Sequence, residues 1–419
     1  MIDYASRYGT PLYVYQLEKV REAVTALRRG LPEGSRLYYS LKANPHPRIV
    51  RELTDLTVHA EISSPGELRA ALAASQSPSD ILYTGPGKTL QEMRTAIRSG
   101  VRRFSVESAT ERDRLAEAAE AEAEEIDCLI RINAPGPAAG STGLRMTGVP
   151  SQFGIDFDQA CAQPGLFRAT GRLRPVGLHF FPATNVADPA ALAREFRLSV
   201  ETAAALRERT GFDPELIDLG GGFAAPFAKP GDRPDYGGLR AELESVLDRH
   251  LPGWRDGRPV VAFESGRHLT AACGTLLTTV LDIKDSGDRT YAILDAGTNV
   301  LGGMSGLGRI MAPAALPEPG ADAGADTREA SGGEPAREAV TLVGPLCTPL
   351  DVLSRSAPLG SLKVGDVLRI PNTGAYGLTA SLLAFLSHPP ATEVVVDGAA
   401  EVHVRRLEVI ETPLEGRER

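Results

Sequence analysis

From about residue 26 to 264 the chain alternates short apolar runs with amphipathic stretches, and this periodicity restricts its fold more than any other feature. Runs at 37–41, 80–83, 103–106, 127–132, 175–179, 216–219 and 260–264 read as buried strands. Between them, residues 65–74, 89–99, 110–125 and 189–210 carry helical spacing. Repeated βα units of this length predict a (β/α)8 TIM barrel over 26–264, with a doubly wound sheet as the alternative. A glycine-rich turn at one strand end and a lysine at another suit the barrel.

After about residue 265 the pattern changes. Short runs rich in Val, Ile, Leu and Thr at 274–286, 290–295, 339–343, 366–370, 393–396 and 402–410 predict a C-terminal β domain, a barrel or sandwich over 265–419 that also takes in residues 1–25. Residues 313–338 are dominated by Ala, Gly, Pro, Glu and Asp and read as a disordered insertion.

The net charge of −9 argues against nucleic-acid binding. The four cysteines, Cys128, Cys161, Cys273 and Cys347, lack the paired spacing of a metal site, so no metal is expected and a reducing, cytoplasmic setting is. No secretory h-region opens the chain, and no run of about 18 apolar residues predicts a membrane span.

Five segments carry chemistry. In Arg36-Leu-Tyr-Tyr-Ser-Leu-Lys42 a lysine ends an apolar strand. The chain has only six lysines against thirty-nine arginines, so a lysine here points to chemistry that needs a neutral amine, such as Schiff-base formation; a solvated strand end is the bland alternative. In Leu216-Ile-Asp-Leu-Gly-Gly-Gly222 three glycines after a strand let backbone N–H groups converge on an anion, although tight βα turns use glycine too. In Val261-Ala-Phe-Glu-Ser-Gly-Arg267 the strand-end carboxylate of Glu264 needs a partner, either Arg267 or a protonated cofactor nitrogen. Gly344-Pro-Leu-Cys-Thr-Pro-Leu-Asp351 places Cys347 on a loop, where a thiol can transfer protons. Pro371-Asn-Thr-Gly-Ala-Tyr376 presents one tyrosine hydroxyl.

In this order the five segments resemble the fold-type III pyridoxal-phosphate decarboxylases, the group of diaminopimelate, ornithine and arginine decarboxylases. The resemblance spans nearly the whole chain. It implies a TIM barrel with a C-terminal β domain, pyridoxal 5'-phosphate as cofactor, and a homodimer whose active sites lie at the subunit interface. Lys42 then matches the lysine that holds the cofactor covalently, and Gly220, Gly221 and Gly222 match the phosphate-binding glycines. Glu264 matches the partner of the pyridine nitrogen, with Gly266, Arg267 and Tyr376 near the phosphate. Cys347 matches the loop cysteine donated by the other subunit. Glu61 stands where the family usually has aspartate.

Departures from the family pattern bear on substrate. The usual His-x-Gly-Ser segment is Phe181-Pro-Ala-Thr184 here, so Phe181 takes the position of the ring-stacking histidine and Thr184 that of the serine. His179 lies two residues earlier, within the expected cofactor site but not at the stacking position. Ser151-Gln-Phe-Gly154 lacks the family's lysine. Thr348 stands where diaminopimelate and ornithine decarboxylases carry an acid for the distal amine, which argues against a basic substrate. Thr348, Asp351 and Arg309 are the expected substrate contacts. The departures resemble a specialised-metabolism branch that includes carrier-protein-linked glutamyl decarboxylases and siderophore-pathway decarboxylases. The expected activity is removal of the α-carboxylate from a free or carrier-protein-tethered amino acid. Lysine biosynthesis by diaminopimelate decarboxylation, racemisation on the same scaffold, and a non-catalytic cofactor-binding homologue are the alternatives.

Overall fold

A computed structural model describes residues 2–134, 144–145, 151–302, 315–319 and 339–411. The chain forms two compact units. One comprises residues 18–225 and 232–270, the other 1–17, 226–231 and 271–419. The helix Leu17–Gly30 therefore lies almost wholly with the barrel unit.

The first unit is a closed barrel of eight parallel strands: β1 (Arg36–Ser40), β2 (His59–Ile62), β3 (Leu82–Tyr83), β4 (Arg103–Val106), β5 (Ile126–Asn133), β6 (Leu173–His179), β7 (Leu216–Asp218) and β8 (Val260–Ser265). Each pairs with the next, and β8 closes on β1 with Glu264 opposite Tyr38. Seven strands coincide with apolar runs in the sequence. The eighth, β2, has no such run: it is His-Ala-Glu-Ile, four residues of which two are polar. Tyr38, Leu82, Leu129, Val176, Leu216 and Ala262, from six of the strands, form one buried cluster. Their removal from water at about 25 cal/mol per Å² of apolar area holds the strands together.

Local signals start the helices that follow the strands. Ser64 Oγ accepts from Glu67 N ahead of Pro65–Ala73, Thr89 and Glu92 form a capping box on Leu90–Arg98, and Ser108 caps Ala109–Glu122. Asp188 caps Pro189–Thr210, which ends at Gly211 with φ +73°. Such caps contribute about 1 kcal/mol each. They also fix the turns at the carboxyl ends of the strands, the face on which barrel enzymes build their sites.

The second unit is a mixed sheet. Its long strand Gly274–Ser286 pairs antiparallel with Arg289–Leu294, Val367–Ile370 and Leu12–Gln16. Leu12–Gln16 also pairs parallel with Thr392–Asp397, so the N-terminal residues sit inside this sheet. Two of its strands, Leu12–Gln16 and Val352–Pro358, stand out in no sequence pattern. The expected disordered insertion is corrected at its start. Ala315 N donates to Leu353 O at 2.7 Å, and Glu318–Pro319 pairs with Val367–Ile370. The rest of 313–338 lies outside the described residues.

Candidate active site

The strand ends of the barrel unit gather the charged residues. Lys42 lies just past β1 in the 3-10 turn Leu41–Ala43, and β1 itself stops at Ser40, one residue short of the expected run. Lys42 Nζ is 3.4 Å from Glu61 Oε2 on β2 and 5.5 Å from the centroid of the Phe181 ring. Glu61 is buried, and its other oxygen accepts from Thr84 Oγ1 and from Ser63 Oγ at 3.3 Å. Burial, reinforced by the charge of Glu61, pushes the neighbouring Glu67 carboxyl up to about 7.

Phe181 follows β6 and leans over the triple glycine. A Cβ on Gly221 would come within 3.3 Å of the Phe181 ring and 2.9 Å of Glu264 O. Gly220 and Gly222 have φ of +75° and +119°, a backbone that side chains resist. Gly220 N donates to Asp218 Oδ1 at 2.8 Å, whereas the N–H groups of Gly221 and Gly222 have no acceptor among the described residues. Next to β8, a Cβ on Gly266 would meet the Ala43 methyl at 2.9 Å, which brings the turn carrying Gly266 and Arg267 against the Lys42 turn. Thr184 is half-buried in the short strand Ala183–Thr184, and the carbonyl of Ala183 lies 3.3 Å from a Cβ built on Gly222.

Beneath the mouth lies a buried cluster. His179 Nε2 is 3.2 Å from Glu264 Oε1, and His179 Nδ1 is 2.7 Å from Ser105 Oγ. Asp218 completes it, with the nearest ligand atoms of His179, Asp218 and Glu264 within 4.8 Å of one another. Burial drives both carboxyls upward, Asp218 further because it also faces the charge of Glu264, whereas Lys42 and Arg131 draw Glu264 back down. Burial and the Arg131 charge hold His179 down at about 3, so it is neutral. Arg131 on β5 pairs with Glu107 at 2.7 Å and packs over the rings of Phe153 and Phe181 at 4.8 and 5.7 Å. Glu107 Oε2 accepts from Gly154 N at 2.7 Å.

The β-rich unit holds the remaining expected residues. Cys347 is exposed and Thr348 half-buried on one loop. Tyr376 is half-buried with φ +54°, in a loop where Asn372 Nδ2 donates to the carbonyls of Lys229 and Gly231. Asp351, expected among the substrate contacts, is bound up within its own loop. It is 2% exposed, and its carboxylate accepts from Thr298 N at 2.6 Å and Leu346 N at 2.8 Å, which spends it on closing the cysteine loop. Arg309 lies outside the described residues.

Sequence reasoning missed Ser105, Glu107, Arg131 and Asp218. Two of them had a signal: Arg131 interrupts an apolar strand, and Asp218 ends another, with one residue between it and the glycines.

Pyridoxal phosphate fits the barrel residues. Its phosphate needs N–H donors where no side chain intrudes, and Gly221 and Gly222 offer them. Its aldehyde needs an amine, and Lys42 Nζ stands by the Phe181 ring that covers Gly221. Its ring nitrogen needs a buried acid, and Glu264, 1% exposed near the end of β8, is one.

Comparisons with known proteins bear on the fold and the family. A family model described as pyridoxal-dependent decarboxylase, pyridoxal binding domain, matches residues 17–271. The L-glutamyl-(BtrI acyl-carrier protein) decarboxylase of Niallia circulans is 32% identical over 96% of this chain and 92% of its own. The 2-((L-alanin-3-ylcarbamoyl)methyl)-2-hydroxybutanedioate decarboxylase of Staphylococcus aureus is 30% identical over 90% and 92%. The crystal structure of diaminopimelate decarboxylase from Helicobacter pylori complexed with L-lysine superposes with a TM-score of 0.80 at 24% identity, covering 97% of this chain and 95% of that one.

Proposed function

Because this chain belongs to the pyridoxal-dependent decarboxylases, we propose that it removes the α-carboxylate of an amino acid whose distal end is tied up in an amide or thioester link, carrier-protein-tethered substrates included. The observation that carries this reading is Thr348, an uncharged residue directly after Cys347. A free distal ammonium brought to this position would find no carboxylate from Thr348, and an unpaired buried charge is costly. The two relatives named above act, by their names, on a glutamyl-carrier protein and on an alanin-3-yl amide, neither with a free distal amine.

Pyridoxal phosphate, when bound, supplies the electron sink for the bond broken at the α-carbon. The chain's own residues do the rest. Lys42 is the amine that holds the cofactor, and Glu61 beside it takes or returns its proton. The Gly221 and Gly222 N–H groups bind the phosphate, with Gly220, Gly266, Arg267 and Thr184 as its further surroundings. Glu264 holds the proton on the ring nitrogen. Phe181 packs on the ring and excludes water, but it cannot donate a hydrogen bond. Cys347, supplied by a second copy of the chain in a homodimer, protonates the α-carbon after CO2 leaves. The setting we propose is specialised metabolism in the cytoplasm.

The test is CO2 release from three substrates: free L-glutamate, L-glutamyl-carrier protein and meso-diaminopimelate. The expected result is turnover of the tethered substrate well above the other two. Preferential turnover of diaminopimelate would overturn the substrate class while leaving the decarboxylase in place.

A further inference from the structure

His179 is unused by the proposed chemistry, yet it is 1% exposed and wedged between two functional strand ends. Its ring nitrogens face two different groups, Ser105 Oγ at 2.7 Å and Glu264 Oε1 at 3.2 Å. The second contact lies off the line of a hydrogen bond, and neither His179 Nε2 nor Glu264 Oε1 has another partner among the described residues. Asp218 Oδ2 is a third buried atom without a partner in the same cluster.

Chemistry settles which atoms carry protons. Glu264 lies nearest to His179, but burial, reinforced by the Arg131 and Lys42 charges, outweighs the pull of the surrounding carboxylates and leaves the imidazole neutral. A neutral imidazole has one donor and one acceptor. An ionised Glu264 can only accept, so the proton belongs on Nε2. Nδ1 is then bare, and the Ser105 hydroxyl, itself fully buried, donates to it. Asp218 keeps its own proton: its Oδ1 accepts from Gly220 N, while burial and the Glu264 charge disfavour a second anion. Lys42 and Arg131 both favour the charged form of Glu264, which has the neutral His179 ring beside it.

We propose that His179 is a positioning residue: Ser105 fixes its tautomer, and its Nε2–H orients Glu264 and keeps it ionised, so that the proton it shares with the cofactor stays on the ring nitrogen. The inference rests on the reading of Glu264 given above. It explains why a histidine sits two residues before the stacking position, whose occupant here is Phe181. Partners behind a chemically active group commonly tune its affinity and basicity in this way.

The test uses the full-length protein loaded with ring-15N pyridoxal phosphate, comparing wild type, His179→Gln, His179→Asn and Glu264→Ala. The side-chain amide of glutamine can place an N–H where Nε2 was, whereas that of asparagine reaches only the Nδ1 position. The expected 15N shift is that of a protonated ring nitrogen in wild type and His179→Gln, moving toward the unprotonated value in His179→Asn and Glu264→Ala. Cofactor affinity should fall about 10-fold in His179→Asn and recover in His179→Gln. A merely structural role would move neither the nitrogen shift nor the Gln/Asn contrast. Equal behaviour of the two histidine variants, with Glu264→Ala altered, overturns the inference alone. An unchanged shift in Glu264→Ala overturns the reading of Glu264 beneath it.

Discussion

Lys42 and Glu61 meet across neighbouring strand ends, Nζ to Oε2 at 3.4 Å, in a lopsided environment: the lysine side chain is 43% exposed and the carboxylate 1%. A carboxylate this buried cannot turn to water, so it stays aimed at the lysine. The lysine keeps an open side, as an amine must if it is to be reached by a cofactor and displaced by a substrate.

Lys42→Ala is therefore expected to abolish turnover and to leave no cofactor covalently trapped after borohydride reduction. Peptide mapping of the reduced protein checks it, with label expected at residue 42 in wild type and at no residue in the variant. Glu61→Gln should retain the label and slow turnover about 10²- to 10⁴-fold, the range for losing a general acid or base.

Gly221→Ala tests the phosphate cradle. The added methyl would sit 2.9 Å from Glu264 O and 3.3 Å from the Phe181 ring, and the first of these is backbone that cannot swing aside. Weakened cofactor binding is expected, with a loss of stability of about 1–3 kcal/mol, as for overpacked sites. Spectrophotometric titration with pyridoxal phosphate and thermal unfolding read the two effects.

Asp351→Ala should destabilise the β-rich unit. It leaves Thr298 N and Leu346 N without their acceptor, at about 1–3 kcal/mol for each buried donor. Because Leu346 precedes Cys347, turnover should fall as well, whereas Asp351→Asn keeps an acceptor oxygen and should lose less of both. Calorimetry and CO2 release on the two variants are the measurements.

Glu67 predicts a pH dependence. Burial and the Glu61 charge raise its carboxyl from the ordinary 4.5 to about 7 in the folded chain. Between those values the folded state binds more protons than the unfolded one, so this residue's contribution is full below pH 4.5 and lost as pH rises through 7. Glu67→Gln should remove that decline while keeping the bond from Ser63 N, seen at 2.6 Å to the carboxylate. Denaturant unfolding of both proteins from pH 4.5 to 8 shows whether the slope disappears.

Cys347→Ala is expected to bind the cofactor normally and to decarboxylate about 10²- to 10⁴-fold more slowly, or to release product with altered protonation at the α-carbon. Loss of cofactor instead would place Cys347 in the wrong role.

The sequence by itself determined the barrel, because seven of its eight strands are apolar runs and its helices carry their own caps, signals that need no tertiary context. It also marked Lys42, the triple glycine and Glu264, since charge or glycine at the end of an apolar strand is conspicuous wherever the chain goes. Only the tertiary structure decided what surrounds them. Strand β2 is half polar and forms because it is held between β1 and β3, and Leu12–Gln16 is a strand because partners about 260 and 380 residues later bracket it. The cluster of Ser105, His179, Asp218 and Glu264 joins four strands, and no local pattern encodes a contact between residues up to 159 positions apart. The backbone bonds of Asp351 were illegible for the same reason: whether a loop carboxylate turns to its own backbone depends on burial, which the folded chain alone supplies.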